Sequence, residues 1–242
     1  QYLECSLLLL QQQKGLDFQE ITIGVVGCGH VGSKVKAVAE RLGMRVLVCD
    51  PPLEAKSQKL KANSYVSMDV IEREADIITF HVPLSCEGQY ATWHLANEEF
   101  FYLLSRVPYI INTSRGEVVD NVALLKALKA GRVRDAILDV WEGEPNINIE
   151  LLNNVFIGTP HIAGYSADGK VNADNMVIDA LCQHFNLPHP GRILPPSLPV
   201  DFKYTGNALN LYNPLVDSEK LKNDPSKFES LRNNYPLRRD SF

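Results

Sequence analysis

No C-x-x-C pair occurs in this chain of 242 residues, and its five cysteines, Cys5, Cys28, Cys49, Cys86 and Cys182, are odd in number and scattered. A disulfide framework and a zinc site are therefore not expected, no metal ligand set is read, and a reducing cytoplasm is the compartment that fits. Long apolar runs are missing as well. The densest near the start, Leu7 to Leu10, is too short for a membrane span and follows no cationic segment, so neither membrane nor targeting signal is expected. Positive charge is the scarcer sign, 24 Lys and Arg against 29 Asp and Glu for a net charge of −5. Without a concentrated basic face, nucleic acid and anionic membranes are not expected partners. No internal repeat is apparent. What is present, 45% hydrophobic and 22% charged residues, suffices for the core of one large domain and a smaller piece.

The chain opens in a helical pattern, with Leu3, Leu7 and Leu10 on one face and Gly15 as its stop. From Ile21, apolar strands are expected near 21–26, 45–49, 76–81, 108–112, 134–139 and 155–158, with helices over 31–42, 97–104, 121–130 and 166–186. Asp120 is the expected N-cap of the third, and Gly131 closes it. Near-continuous apolar strands alternating with helices mean a parallel sheet covered on both faces, so the fold class is α/β, a doubly wound Rossmann-type domain. Five prolines between Pro188 and Pro199 then break the rhythm as a linker or extended crossing. The polar segment from Asp201 is too small for its own core and is expected to pack on something. The expected organisation is an opening helix over 1–15, a nucleotide-binding domain over 16–187 and a linker with a small C-terminal segment over 188–242.

The first strand runs into Gly27-x-Gly29-x-x-Gly32, then a helix, then a strand ending at Asp50. Each glycine has a separate job: a tight turn, close backbone approach to a pyrophosphate, and close helix packing. The N–H groups of His30 and Val31 would face the phosphates from the positive end of the helix. Asp50, 18 residues past Gly32, can accept bonds from ribose hydroxyls and repel a 2′-phosphate, which favours NAD over NADP.

Three more strands each deliver polar groups at the edge where ligands bind in open parallel sheets. These are Arg115 in YIINTSRGEVVD, Asp139 and Glu144 in AILDVWEGEP, and His161 and Tyr165 in FIGTPHIAGY. Together they offer the chemistry of hydride transfer from a 2-hydroxy acid. His161 can take the hydroxyl proton, Glu144 can hold its other ring nitrogen and favour the charged imidazole, and Arg115 offers a fork of donors to a carboxylate. Asp139 is placed to accept from the nicotinamide amide. Each residue alone has an ordinary structural explanation; their convergence downstream of a glycine cradle carries the reading. His81 reads as structural, and His94, His184 and His189 carry no usable pattern.

These segments resemble the NAD-dependent D-isomer-specific 2-hydroxyacid dehydrogenases over nearly all of residues 15–185. The finer likeness, to members that oxidise a phosphorylated 2-hydroxy acid in pyridoxal phosphate biosynthesis, rests on VLVCDPP, ADIITFHVPLSCEGQYATWHL, NTSRGEVVDNVALL, LDVWEGEPNINIELL, IGTPHIAGYSADGK and FESLRNNYPLRR. The resemblance implies Arg115, Glu144 and His161 as the catalytic set. It assigns NAD contacts to His30, Val31, Asp50, Val82, Thr113, Ser114, Asp139 and Gly164, with Val82 acting through its backbone, and a substrate contact to Tyr165. Lys170, near the same loop, is a candidate for binding the phosphate. A homodimer with a C-terminal dimerisation segment is also implied. The family carries a substrate-binding domain of about a hundred residues before the opening helix, by the size expected of a second domain. The expectations are accordingly that these 242 residues bind NAD, turn over weakly or not at all by themselves, and expose an apolar face. Two alternatives stay open: another family member such as a phosphoglycerate dehydrogenase, and a non-catalytic NAD-sensing scaffold.

Overall fold

In the computed structural model, which describes residues 1–57, 65–197, 206–236 and 238–240, the apolar stretches fall into one parallel sheet. The elements run α1 (Tyr2–Lys14), β1 (Thr22–Val26), α2 (His30–Arg41), β2 (Arg45–Cys49), α3 (Pro51–Ser57), α4 (Met68–Glu74), β3 (Ile77–Phe80) and α5 (Glu98–Leu103). They continue through β4 (Tyr109–Asn112), α6 (Asn121–Lys129), β5 (Asp135–Leu138), α7 (Ile149–Asn154), β6 (Ile157–Gly158), α8 (Ala167–Phe185), α9 (Pro214–Asn223) and α10 (Phe228–Asn233). The strand order is β2-β1-β3-β4-β5-β6, with Val25 opposite both Val48 and Thr79, and Ile111 opposite Thr79 and Ile137.

Successive strand residues point to opposite faces, so each strand feeds two cores. Ile78, Phe80, Ile110 and Leu138 join α5, α6 and α7 on one face, while Ile23, Val25, Ile77, Ile111 and Ile137 join α1 and α2 on the other. Helix α1 buries the expected stripe of Leu3, Leu7 and Leu10, and Gly15 ends it in the left-handed region at φ 71°. Asp120 caps α6 by accepting from the Val122 and Ala123 amides, and Gly131 follows with φ 69°. Ser166 caps α8, whose Met176, Val177, Leu181 and Phe185 are exposed.

Five short helices, α3, α4, α7, α9 and α10, go beyond the sequence expectation. The last two form within the polar C-terminal segment and pack on the sheet: Leu221 and Phe228 are fully buried, and the Ser218 hydroxyl accepts from the Gly158 amide. A strap at residues 238–240 bonds to the chain after β6. Arg238 donates to the Ile162 and Ala163 carbonyls, and the Asp168 carboxylate accepts from Arg239 and from the Asp240 amide. Most of the proline-rich crossing lies within the described residues; Pro199 and the segment through Thr205 lie outside them. The cysteines are free, and among the described residues no helix is long and apolar enough to cross a membrane.

Candidate active site

From β1 the chain moves outward to β2 and then returns past β1 to β3. The strand order therefore reverses between β1 and β3, and the loops at their carboxyl ends part to leave a crevice. This cleft, about 530 Å³, is lined by Gly27, Gly29, Asp50, His81 and Val82, with Pro51 to Glu54 and Gln89 to Thr92 as walls. The three glycines occupy distinct environments. A Cβ at Gly27 would meet the His81 carbonyl oxygen at 2.8 Å, and one at Gly32 would lie 1.9 Å from the Gly27 oxygen. At Gly29 a Cβ would meet nothing within 4 Å, so the missing side chain leaves open space at the N-terminus of α2. His30 and Val31 form the first turn, where backbone N–H groups lack partners within the helix, and Val31 is exposed. Asp50 faces the same cleft, its carboxylate accepting from the Cys28 and Leu53 amides. An anion-binding helix end with a carboxylate one strand away suits a dinucleotide.

A second cleft, about 280 Å³, lies over β4, β5 and β6 and is lined by Thr113, Ser114, Arg115, Asp139, His161, Gly164, Tyr165 and Lys170. Asn112, fully buried at the end of β4, shapes its first wall by accepting from the Ser114 amide and hydroxyl and donating to the Arg115 carbonyl. Arg115 donates to the Ser114 carbonyl at 2.7 Å, and among the described residues no carboxylate pairs with it. Lys170 lies over the Tyr165 ring, 4.7 Å from its centroid.

His161 sits in the left-handed region at φ 58°, a costly conformation for a non-glycine residue, fixed where its amide donates to the Asp139 carbonyl at 2.7 Å. Its Nδ1 lies 2.8 Å from Glu144 Oε2. Because a carboxylate accepts, that nitrogen carries the hydrogen, and in the neutral ring it is Nε2 that presents a lone pair. Glu144 is held in turn by the Trp141 amide, which donates to Oε1 at 2.9 Å, while the buried Trp141 indole donates to the Thr159 carbonyl. Arg232, on α10, reaches to 3.5 Å from the same Oε2 that holds the imidazole. This arginine lies within FESLRNNYPLRR, a segment with no site residue assigned from sequence.

Asp139 lines the same cleft and has a structural part as well. Its buried carboxylate accepts from Thr159 Oγ1 and from the amides of Ile162 and Ala163, shaping the loop that presents His161. Burial raises its pKa, and the Thr159, Ala163 and Ile162 hydrogen bonds oppose that rise. His81 bonds to Thr79 Oγ1 through Nε2, and burial pushes its imidazole down to about 4, in keeping with a structural histidine. His94 stacks on the half-exposed Trp93 and bonds Glu142 at 2.6 Å with Asp120 nearby, tying the loop after β3 to the neighbouring loop after β5.

The residues picked out in the sequence thus divide between two clefts on one edge of the sheet. Gly27, Gly29, Asp50 and Val82 line the first, with His30, Val31 and Gly32 in the first turn of α2 that follows Gly29, and Thr113, Ser114, Arg115, Asp139, His161, Gly164, Tyr165 and Lys170 line the second. Glu144 stands behind His161.

The family model described as "D-isomer specific 2-hydroxyacid dehydrogenase, NAD binding domain" matches residues 9–163. Erythronate-4-phosphate dehydrogenase from Bacteroides thetaiotaomicron is 51% identical over 99% of this chain and 69% of its own length. The protein of the same name from Porphyromonas gingivalis is 38% identical over 99% of this chain and 68% of its own. Among solved structures, a glyoxylate reductase from Paecilomyes thermophila aligns with a TM-score of 0.59 at 25% identity, covering 80% of this chain and 59% of that one. A D-lactate dehydrogenase from Aquifex aeolicus complexed with NAD and lactic acid aligns with a TM-score of 0.56 at 28% identity, over 81% of this chain and 66% of that one.

Proposed function

Since the chain belongs to the D-isomer specific 2-hydroxyacid dehydrogenases and carries their NAD-binding domain, we propose that it serves the oxidation of 4-phospho-erythronate to its 2-oxo acid in pyridoxal 5′-phosphate biosynthesis. NAD is the cofactor, and when bound it supplies the acceptor for the hydride leaving C2. The contact that carries the catalytic reading is the 2.8 Å bond from His161 Nδ1 to Glu144, in the cleft that Arg115 also lines.

With Nδ1 bonded to the carboxylate, Nε2 is the base that takes the proton of the 2-hydroxyl, and Glu144 steadies the imidazolium that results. In reduction the same nitrogen returns the proton. Arg115, which no carboxylate among the described residues pairs with, is available for the substrate's own carboxylate and C2 oxygen. Tyr165 packs on the substrate, and Lys170 beside it takes the phosphate. In the other cleft the amides of His30 and Val31 receive the pyrophosphate and Asp50 the ribose, while Gly29 leaves the space such an approach needs. Thr113, Ser114, Asp139, Gly164 and the backbone of Val82 complete the nucleotide's surroundings. The family likeness also supports a homodimer, which sedimentation velocity would read.

The test is NADH formation by protein carrying this chain, with 4-phospho-erythronate, erythronate, 3-phosphoglycerate and lactate compared. The phosphorylated four-carbon acid should have the highest kcat/KM, and Lys170→Met should lower it roughly tenfold, the size of one charge-assisted bond, while leaving erythronate oxidation unchanged. Equal rates on erythronate and its phosphate ester would overturn the substrate assignment.

A further inference from the structure

We propose that Arg232, on α10 and beyond the residues matched by the family model, is a positioning residue that restrains the proton affinity of the Glu144 and His161 pair. The inference rests on the reading of that pair as the acid-base machinery. Glu144 has two oxygens, and Oε1 is taken by the Trp141 amide. Oε2 is therefore shared between the His161 ring nitrogen at 2.8 Å and the Arg232 guanidinium at 3.5 Å. Among the described residues, no other charged side chain pairs with this carboxylate. The position of the arginine is set by the core, since Phe228 one turn earlier is 1% exposed. Its own side chain is 34% exposed and that of Glu144 17%, so the contact is partly shielded from water.

A cation sharing the oxygen that supports the imidazolium stabilises the carboxylate alone and opposes a second positive charge beside it. A carboxylate without Arg232 would hold the proton on His161 more strongly. The other groups facing the pair remain in place: Arg115 from the loop after β4, Asp139 at the end of β5, and Tyr165 and Lys170 after β6. Arg238 is directed to the Ile162 and Ala163 carbonyls. The C-terminal segment thus holds the loop bearing His161 with one arginine and tunes its partner with another.

The experiment is an NMR titration of the His161 ring in the 242-residue chain, its signal assigned by its loss in His161→Gln. Arg232→Met should move the midpoint up by roughly half a unit to one unit, as expected for removing one nearby charge, and Arg232→Lys should restore most of the original value. In turnover assays of protein carrying the chain, oxidation by Arg232→Met should fall about 3- to 10-fold on the acid side of the profile, where that shift depletes the neutral base, and recover at high pH. A purely structural defect would instead lower the rate at every pH. An unmoved midpoint in Arg232→Met, or in Arg232→Gln should the first variant fail to fold, would overturn the inference. Undiminished turnover by His161→Gln would instead overturn the catalytic reading beneath it.

Discussion

Replacing two glycines of one motif should separate folding from cofactor binding. At Gly32 an added methyl would lie 1.9 Å from the backbone oxygen of Gly27, and backbone cannot rotate away as a side chain can. The helix must shift, at a cost of roughly 3 kcal/mol, the upper part of the usual range for overpacking. For a chain of this size that corresponds to a fall in Tm of roughly 6–12 °C. Gly29 has φ −71° and open space where its Cβ would lie, so Gly29→Ala should be tolerated by the fold. Its stability should stay within about 0.5 kcal/mol of the original. The same methyl would project where the pyrophosphate must approach, and loss of one charge-assisted hydrogen bond, about 1.5–3 kcal/mol, should weaken NAD binding roughly 10- to 100-fold. Thermal denaturation and titration calorimetry with NAD read the two effects independently. Gly29→Ala binding NAD within about twofold of the original protein, on a scale where tenfold is 1.4 kcal/mol, or Gly32→Ala melting unchanged, would refute the reasoning.

Three further outcomes are expected. His81, pushed down to about 4 by burial, takes up its proton in the unfolded chain near pH 6.5, so its contribution is fully present above that pH and is lost as pH falls through 4. Denaturant unfolding at pH 7 and pH 4.5 should show a loss of about 2–3 kcal/mol attributable to this residue, absent in His81→Gln; equal losses in both proteins would contradict it. Thr159→Val removes the hydroxyl shared by Tyr2 and Asp139 at 2.6 Å each, leaving two buried polar groups short of a bond. Urea titration should register roughly 2–4 kcal/mol of destabilisation. Phe228→Ala empties a fully buried site beneath α10; a loss of roughly 3–5 kcal/mol in the same assay would mark the C-terminal segment as part of the core, and an unaltered midpoint would place it outside.

The sheet was readable because its strands are apolar on both faces and separated by caps that name themselves, as Asp120 does for α6. The glycine cradle was readable because three spaced glycines between a strand and a helix have few other uses. Other features leave no local trace. Helices α9 and α10 form in polar sequence because Leu221 and Phe228 join the core that β5 and α7 feed, a condition set by tertiary packing. Asn112 could have been suspected as a polar residue ending a wholly apolar strand. Arg232 lies in FESLRNNYPLRR, which carries part of the resemblance, but its meaning depends on Glu144, 88 residues earlier in the chain. Asp139 shows a third case: its position was legible, yet its bonds to Thr159, Ile162 and Ala163 follow from a loop geometry that no spacing rule encodes.

The two indoles of the chain lie in contrasting surroundings, Trp141 fully buried behind Glu144 and Trp93 half exposed against the His94 ring. Ultraviolet excitation should accordingly yield two separable emissions, one blue-shifted from the interior and one red-shifted and partly quenched by the stacked imidazole. Removing the outer fluorophore with Trp93→Phe would leave a single intrinsic probe beneath the reacting groups, able to follow nucleotide arrival without any attached label.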